Sequence, residues 1–301
     1  MRGGRREFWH RQVSVDSLCL YRVGFGAMLC VEAISWLPHA TELFSNQGFH
    51  LGPWARWAPA PAMAFLLNLV LVVATALVAV GRWTKPALAV AIVIWQFFCL
   101  VDGLMVYSIH MVAVMVMGIL LLAPCDWRYS LEDWLRQRRG LPRRPATACG
   151  FALRLLQLEF AQVYFFTGLT KLSNPAWPTG EVFFQCLQSR WANPIGVWVS
   201  GWVPDLALRL IGIGTIMYEL LGPFLLFSPR LRQWVIAYGV LFHLGIEATT
   251  SIGSLGRHFL WALLLLYPDP QTVANLASRW ILRLRAGGLL SQRTPAARGT
   301  S

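Results

Sequence analysis

Charged residues are scarce in this chain of 301 residues, at 13% of the sequence, whereas hydrophobic residues make up 56%. A soluble globular domain carries about 25% charged and roughly 45–50% apolar residues. The contrast excludes a typical soluble enzyme, and the 15 Trp and 17 Phe exclude a disordered chain, which is poor in aromatic residues. At about 20 residues per membrane-spanning helix, the length allows up to eight spans.

Paired cysteines are missing as well. The chain has six Cys but no CxxC pair, so the sequence predicts no metal site. Only Cys186 falls on the predicted outer side of the membrane, which excludes a disulfide framework there. We interpret all six cysteines as small apolar filler in the packing.

Apolar runs of membrane-spanning length are what the sequence does contain. They predict an all-α polytopic membrane protein with eight spans, at 17–38, 61–81, 86–102, 107–124, 150–172, 205–227, 231–249 and 252–267. A re-entrant or interfacial helix is predicted at 179–191, where Trp residues indicate the headgroup level. Residues 1–16 are predicted to be a basic N-terminus, 17–268 the transmembrane domain, and 269–301 a basic, disordered tail.

The basic residues predict the orientation of these spans. Of 26 Lys and Arg, 19 lie at the termini or in even-numbered connections and four in odd-numbered ones. Because basic residues are retained on the cytoplasmic side, both termini are predicted to be cytoplasmic. The net charge of +12 is thus spread over several loops, so we expect contact with membrane lipid and not with nucleic acid. Arg5 and Arg6 are similar to a twin-arginine export signal, but a retained first span is the preferred interpretation.

Several ionisable side chains lie inside the predicted spans, although a charged side chain at the bilayer centre costs about 3 kcal/mol of insertion free energy. They are Arg22, Glu32, His110, Arg154, Glu159, Glu219, His243 and Glu247. We expect many of them to face each other across a polar interior. Pairing between helices for structure alone is the alternative.

Lysine is the rare basic residue, with only Lys85 and Lys171 against 24 Arg. A desolvated Lys can lose its proton, whereas Arg stays protonated in nearly any setting. Lys171 ends span five, and Thr167 and Tyr164 precede it at helical spacing on the same face. Such a Lys would act as a base beside a flat amphipathic ligand such as a quinol. A membrane-interface anchor is the alternative interpretation.

Four segments resemble one known family. Residues 164–172 (YFFTGLTKL), followed by Trp177 and Gly180, are similar to the YFxxGxxKL…WxxG segment of the vitamin K-dependent γ-glutamyl carboxylases and of their bacterial relatives, the HTTM membrane proteins. Residues 20–26 (LYRVGFG) resemble the FRxxxG motif of the first span. His110 upstream of 126–130, and Phe242-His243 before 251–253, resemble two later motifs. The four occur in the order of the family, over roughly residues 16–270.

The resemblance implies a function. It implies that Lys171, on the outer side, deprotonates vitamin K hydroquinone or menaquinol, and that O2 and CO2 serve as co-substrates in carboxylating a peptide glutamate. It further implies that His110 assists as a catalytic residue by hydrogen bonding. The quinone- or substrate-binding residues that it implies are Tyr164, Thr167, Trp177, Arg22 and His243, the last two as buried polar supports.

Two departures from the family leave the reaction open. The carboxylases carry a large luminal β-rich region after the spans, which this chain is not expected to have, and Thr170 stands where a first of two adjacent lysines is usual. One hypothesis is therefore an enzyme of the bacterial plasma membrane that is active on the extracytoplasmic side. The other is a non-enzymatic maturation or export partner for a secreted peptide. A transporter is the weakest, since no inverted repeat is visible. The enzyme hypothesis predicts one outer cavity that joins Lys171, His110 and Tyr164.

Overall fold

Long helices form where the apolar runs predict them. The computed structural model describes residues 7–103, 108–251 and 254–286. The eight helices at the predicted spans are α1 (Asp16–Trp36), α3 (Pro61–Val80), α4 (Thr84–Val101), α5 (Ser108–Leu122), α7 (Phe151–Leu172), α10 (Asp205–Leu225), α11 (Arg232–Thr249) and α12 (Ser254–Leu265). Shorter helices are α2 (Ala40–Phe44), α6 (Leu131–Arg138), α8 (Glu181–Gln188), α9 (Pro194–Ser200) and α13 (Pro270–Ala286). The all-α prediction is confirmed.

Within the described residues, four segments are long and apolar enough to cross a membrane. They are Asp16–Phe44, which joins α1 and α2, together with α3, α4 and α10. The fifth apolar helix, α5, is shorter. The helix α7 has the length of a span but carries Arg154, Glu159 and Lys171. The chain is therefore a helical membrane protein, and the count of eight spans stays a prediction.

The helix α1 lies at the centre of the bundle. It packs against α3, α12 and α13, and Tyr21, Phe25 and Leu29 on it are fully buried. The helix α7 packs against α10, α5 and α12. The close approach of α1 to α3 requires a glycine, because a Cβ at Gly26 would lie 2.7 Å from the backbone nitrogen of Ala79. This glycine completes the first-span motif.

Contacts between helix ends define two ends of the bundle. At one end, Arg22 near the start of α1 binds carbonyls at the end of α3 and in the 125–129 loop. At the other end, the Asn193 amide donates to the Ala248 carbonyl near the end of α11, at 2.9 Å. We call these the basic end and the opposite end. Lys171 belongs to the last turn of α7, the turn directed toward the opposite end.

Two features at the basic end differ from the predictions. A two-stranded antiparallel ribbon pairs β1 (Gln12–Ser14) with β2 (Thr147–Cys149), which apolar periodicity could not reveal in strands of three residues. The prediction of a disordered tail from 269 is wrong for 270–286, which form α13 because Val273 and Ala274 are buried beside α1 and β1.

Some predictions fall outside the described residues. They concern residues 1–6 with Arg5 and Arg6, Tyr107 at the predicted start of span four, Ile252 and Gly253 of the fourth motif, and the tail from 287.

Candidate functional site

Close packing of α7 on α10 places Lys171 beside Glu219. A Cβ added at Gly168 would lie 3.0 Å from the Glu219 Cβ and from the Leu220 side chain, which is tighter than most Cβ contacts, so the glycine allows the two helices to approach closely. Lys171 follows Gly168 by three residues, almost one helical turn, and therefore points to the same interface. Gly168 thus allows α7 to approach α10 closely, and Lys171 points into the interface that this approach creates.

The Lys171 ammonium has two partners. Its Nζ forms an ion pair with Glu219 Oε1 and lies over the Trp177 ring, 4.6 Å from the ring centroid. Only 18% of the Lys171 side chain and 6% of the Glu219 side chain are exposed. Glu219 Oε2 is buried and has no hydrogen-bond partner among the described residues. The pair is therefore removed from water but has one open acceptor oxygen.

The loop after α7 positions Trp177 by close backbone contacts. Gly180 has φ +82°, a left-handed conformation that a side chain would strain, and a Cβ there would lie 2.6 Å from the Leu208 carbonyl carbon. The Trp177 carbonyl in turn lies directly against Gly212 of α10. The Trp and Gly of the motif thus fix the loop on α10, which places the indole over Lys171.

A second pair lies deeper along the same helix. Tyr164 and His243 Nε2 share a hydrogen bond of 2.6 Å, and both residues are buried. Tyr164 also contacts the ring of Tyr218, next to Glu219 in sequence, at a centroid distance of 5.3 Å. His243 Nδ1 has no partner among the described residues. Polar groups with open hydrogen-bonding capacity thus gather where α7, α10 and α11 meet.

Thr167 lies between the two pairs. Its hydroxyl donates to the backbone carbonyls of Val163 and Tyr164, at 2.8 and 2.9 Å, and lies next to the Glu219 carboxylate. Thr170 is exposed and donates to the Thr167 carbonyl at 2.8 Å. Thr167 faces the site, whereas Thr170, at the position of the family's other lysine, does not contact it.

His110 belongs to a separate polar cluster on α1, α5 and α12. Its Nε2 lies 3.0 Å from Glu32 Oε1, and His258 Nε2 lies 3.9 Å from the other Glu32 oxygen. The rings of Trp36 and Trp95 contact His110 at centroid distances of 5.9 and 5.7 Å. The three ionisable groups therefore stabilise one another within an aromatic surrounding.

One aromatic residue stands between the two clusters. Phe259 stacks on His243 at 5.5 Å and contacts Tyr164 at 4.7 Å, and its neighbour in sequence is His258 of the other cluster. The structure thus brings Lys171, Thr167, Tyr164, Trp177 and His243 together. It places His110 beyond Phe259, with partners of its own.

Arg22 has a structural position. It is fully buried, and its guanidinium donates to the carbonyls of Cys125, Val78, Ala79 and Tyr129 at 2.6–3.0 Å. These carbonyls belong to the basic end of the bundle, whereas Lys171 lies toward the opposite end. We therefore assign Arg22 to the fold and withdraw it from the predicted ligand-binding set.

Glu219, Glu32 and His258 are the residues that the sequence-based site lacked. The two acids, Glu219 and Glu32, were recognisable in the sequence because a charged group in an apolar helix costs free energy, which indicates either function or pairing. Their partners could not be identified, because a partner in another helix depends on how the helices pack. His258 lies in a predicted span, but none of the four motifs includes it.

The described part of the chain contains neither a cluster of metal ligands nor a disulfide. No group of three or more His, Cys, Asp or Glu there is arranged to hold a metal ion. All six cysteines are free. Outside the spans, burial raises the pKa of Cys125 to about 11, so this thiol is a weak nucleophile.

Comparison with known proteins gives one finding. A family model described as the HTTM domain matches residues 10–269. The match begins before α1 and ends after α12, so it includes every residue of both polar clusters. No curated protein and no solved structure matches the chain.

Proposed function

The chain belongs to the HTTM domain family, and on that premise we propose that it is a quinone-dependent membrane enzyme that carboxylates a peptide glutamate on the extracytoplasmic side. Its family and its apolar helices make it a carboxylase-related integral membrane protein. The reaction, the side of the membrane and the choice of the bacterial plasma membrane are the proposal. Lys171, paired with Glu219, is the proposed base.

The buried Lys171–Glu219 pair is the observation that carries this proposal. A lysine acts as a base only in its neutral form, and a neighbouring carboxylate alone would favour the charged form. Burial, however, penalises both charges, so a contact pair in a dry site can hold its proton on either partner. When the proton lies on Glu219, Lys171 presents a free amine. In this state the Glu219 carboxyl group holds the proton, and the Lys171 amine is free to act as the base.

The residues around this pair fit a reduced quinone. A hydroquinone needs apolar walls and acceptors for its hydroxyl groups, and the site offers the Trp177 and Tyr164 rings with the open Glu219 Oε2. When bound, the reduced quinone would supply, through its oxidation by O2, the driving force and the basicity for removing a glutamate γ-proton, and the glutamate carbanion would then add to CO2. Lys171 Nζ would take the hydroxyl proton, and Trp177 would keep water away from the amine. Thr167 and the Tyr164–His243 pair would orient the ring.

His110 keeps a different place in the proposal. Its Glu32 and His258 partners make a second polar centre, and Phe259 separates it from the Lys171 pair. His110 therefore supports the site through the packing of α12 and does not touch the same ligand atoms as Lys171.

Mass spectrometry of extracytoplasmic peptides tests the proposed reaction. Cells with the wild-type protein should contain peptides with one added carboxyl group on glutamate. These should disappear in Lys171→Met and in Glu219→Gln cells, and persist in the control Lys85→Arg, which changes the only other lysine. Peptides without this mass shift in wild-type cells would contradict the proposal.

A non-enzymatic maturation or export partner for a secreted peptide is the second candidate. The ion pair itself favours it, because pairing with Glu219 explains a buried Lys171 without any chemistry. In that case Lys171→Arg, which can keep the ion pair, should preserve maturation of the peptide. The enzyme proposal predicts that the same variant fails.

A further inference from the structure

A groove on the outside of the bundle lies apart from the Lys171 site. It has a volume of about 470 Å³ and runs between α1 and α12. One stripe of α1, from Gly24 to Trp36, forms its length, and Arg257 and Trp261 of α12 form the other wall. Twelve residues of helix correspond to about 18 Å. That length suits the polar head of a lipid and the first part of a chain.

The polarity of the groove changes along α1. The part further from the opposite end is apolar and is lined by Ala27, Met28 and Val31. Val31 is 58% exposed, so this part opens to the side of the bundle. Glu32 and Ser35 follow at the opposite end, together with Arg257. Trp36 stands beside them, as Trp does at the headgroup level of membranes, whereas the Trp261 ring packs against Gly24 at the other end of the stripe. The groove is thus apolar inside and polar at the interface.

Residues of opposite charge line this polar part. The Glu32 carboxylate is 11% exposed, and His110 Nε2 and His258 Nε2 lie 3.0 and 3.9 Å from its two oxygens. Arg257 pairs with Glu247 through Nε at 3.1 Å, and no described residue accepts from its terminal nitrogens. Arg257 precedes His258 in sequence, so its guanidinium belongs to the same end of the groove. The groove is therefore lined by one acidic and one basic side chain, Glu32 and Arg257.

We propose that this groove binds a phospholipid with a primary ammonium head. The ammonium would donate to Glu32, and the phosphate would accept from the planar guanidinium of Arg257, which suits phosphate geometry. An acyl chain would lie along Ala27, Met28 and Val31. A choline head lacks N–H donors and a glycerol head lacks the cation, so both complement the site less well. This site goes beyond the proposed function and does not depend on it.

Native mass spectrometry of the purified full-length protein tests this site. Delipidated protein is titrated with dioleoyl-phosphatidylethanolamine, -phosphatidylcholine and -phosphatidylglycerol. The ethanolamine lipid should bind about tenfold more tightly than the other two, the factor given by one charge-assisted hydrogen bond. Glu32→Gln and Arg257→Gln should remove this preference. Glu159→Gln, a carboxylate on α7 away from the groove, should keep it.

A second variant covers the case in which Glu32→Gln disturbs the His110 cluster. Val31→Trp fills the exposed mouth of the groove without changing any charge, and it should abolish tight binding of the ethanolamine lipid while the thermal unfolding temperature stays unchanged. Equal binding of the three lipids, or wild-type binding by Val31→Trp, overturns the proposal. Stoichiometric displacement of the lipid by reduced menaquinone also overturns it and assigns the groove to the quinol. Lys171→Met should leave lipid binding unchanged, which separates this site from the proposed reaction.

Discussion

At the scale of single residues, the difference between lysine and arginine determines whether the side chain at position 171 can act as a base. Arg provides 24 of the 26 basic side chains, and Lys171 is one of the two exceptions. An arginine at this position could pair with Glu219 and lie on Trp177, but it could not release its proton. The presence of lysine in that setting therefore suggests chemistry and not only pairing.

The variant Lys171→Arg tests this distinction. It should fold and unfold at nearly the same temperature as the wild-type protein, because an ion pair with Glu219 remains available, yet it should lose glutamate modification. Thermal unfolding in detergent and peptide mass spectrometry give the two readouts. Full modification by Lys171→Arg would show that no deprotonation occurs at this residue.

Arg22 contributes to stability and not to the proposed chemistry, since its partners are all backbone carbonyls. Arg22→Met would leave the carbonyls of Cys125, Ala79 and Tyr129 without a donor, whereas Val78 keeps the Gly81 amide. We expect the free energy of unfolding to fall by about 3 kcal/mol or more, given 1–3 kcal/mol for each buried unsatisfied group. A large fall in the thermal unfolding temperature should follow. An unchanged unfolding temperature, with loss of ligand binding instead, would restore Arg22 to the site.

At the scale of elements, the packing of α7 on α10 determines whether the base has its partner. Gly168→Ala places a Cβ 3.0 Å from Glu219 and Leu220, so these neighbours on α10 must give way by a few tenths of an ångström. Overpacking of this kind costs about 1–3 kcal/mol. The variant should lose both stability and glutamate modification.

Gly118→Ala on α5 is the matched control for this substitution. A Cβ there meets nothing within 4 Å, so the change should be neutral or stabilising by up to about 1 kcal/mol through helix propensity. Equal unfolding temperatures for the two variants would mean that Gly168 is not a contact point between α7 and α10.

Helix positions were predictable because apolar composition alone determines which segments enter the membrane. The predicted range 150–172 and the observed α7, Phe151–Leu172, differ by one residue. The helix α13 was missed because its arginines and polar residues have the composition of a tail, and its order depends on packing against α1. Glu219 was visible as a costly charge, but its pairing with Lys171 depends on the register of α7 and α10, which composition does not determine.

At the scale of the whole molecule, the two ends of the bundle should lie on opposite sides of the membrane. Ser173 follows Lys171 and is exposed, and Cys149 is exposed at the basic end. With Ser173→Cys in a background that lacks other cysteines, an impermeant maleimide should label intact cells. A protein that retains only Cys149 should react after permeabilisation alone. The reverse pattern would place Lys171 on the cytoplasmic side and contradict the proposed site of reaction.

Carbon isotope incorporation by the purified protein measures directly whether Lys171 and Glu219 support carboxylation of glutamate. The protein is reconstituted in liposomes with chemically reduced menaquinone, O2, ¹³C-bicarbonate and a mixture of glutamate-containing extracytoplasmic peptides. We expect a ¹³C-labelled carboxyl group on a glutamate γ-carbon with the wild-type protein and with Lys85→Arg, and none with Lys171→Met or Glu219→Gln. Equal incorporation by Lys171→Met, or no incorporation by the wild-type protein with any peptide, would contradict this expectation.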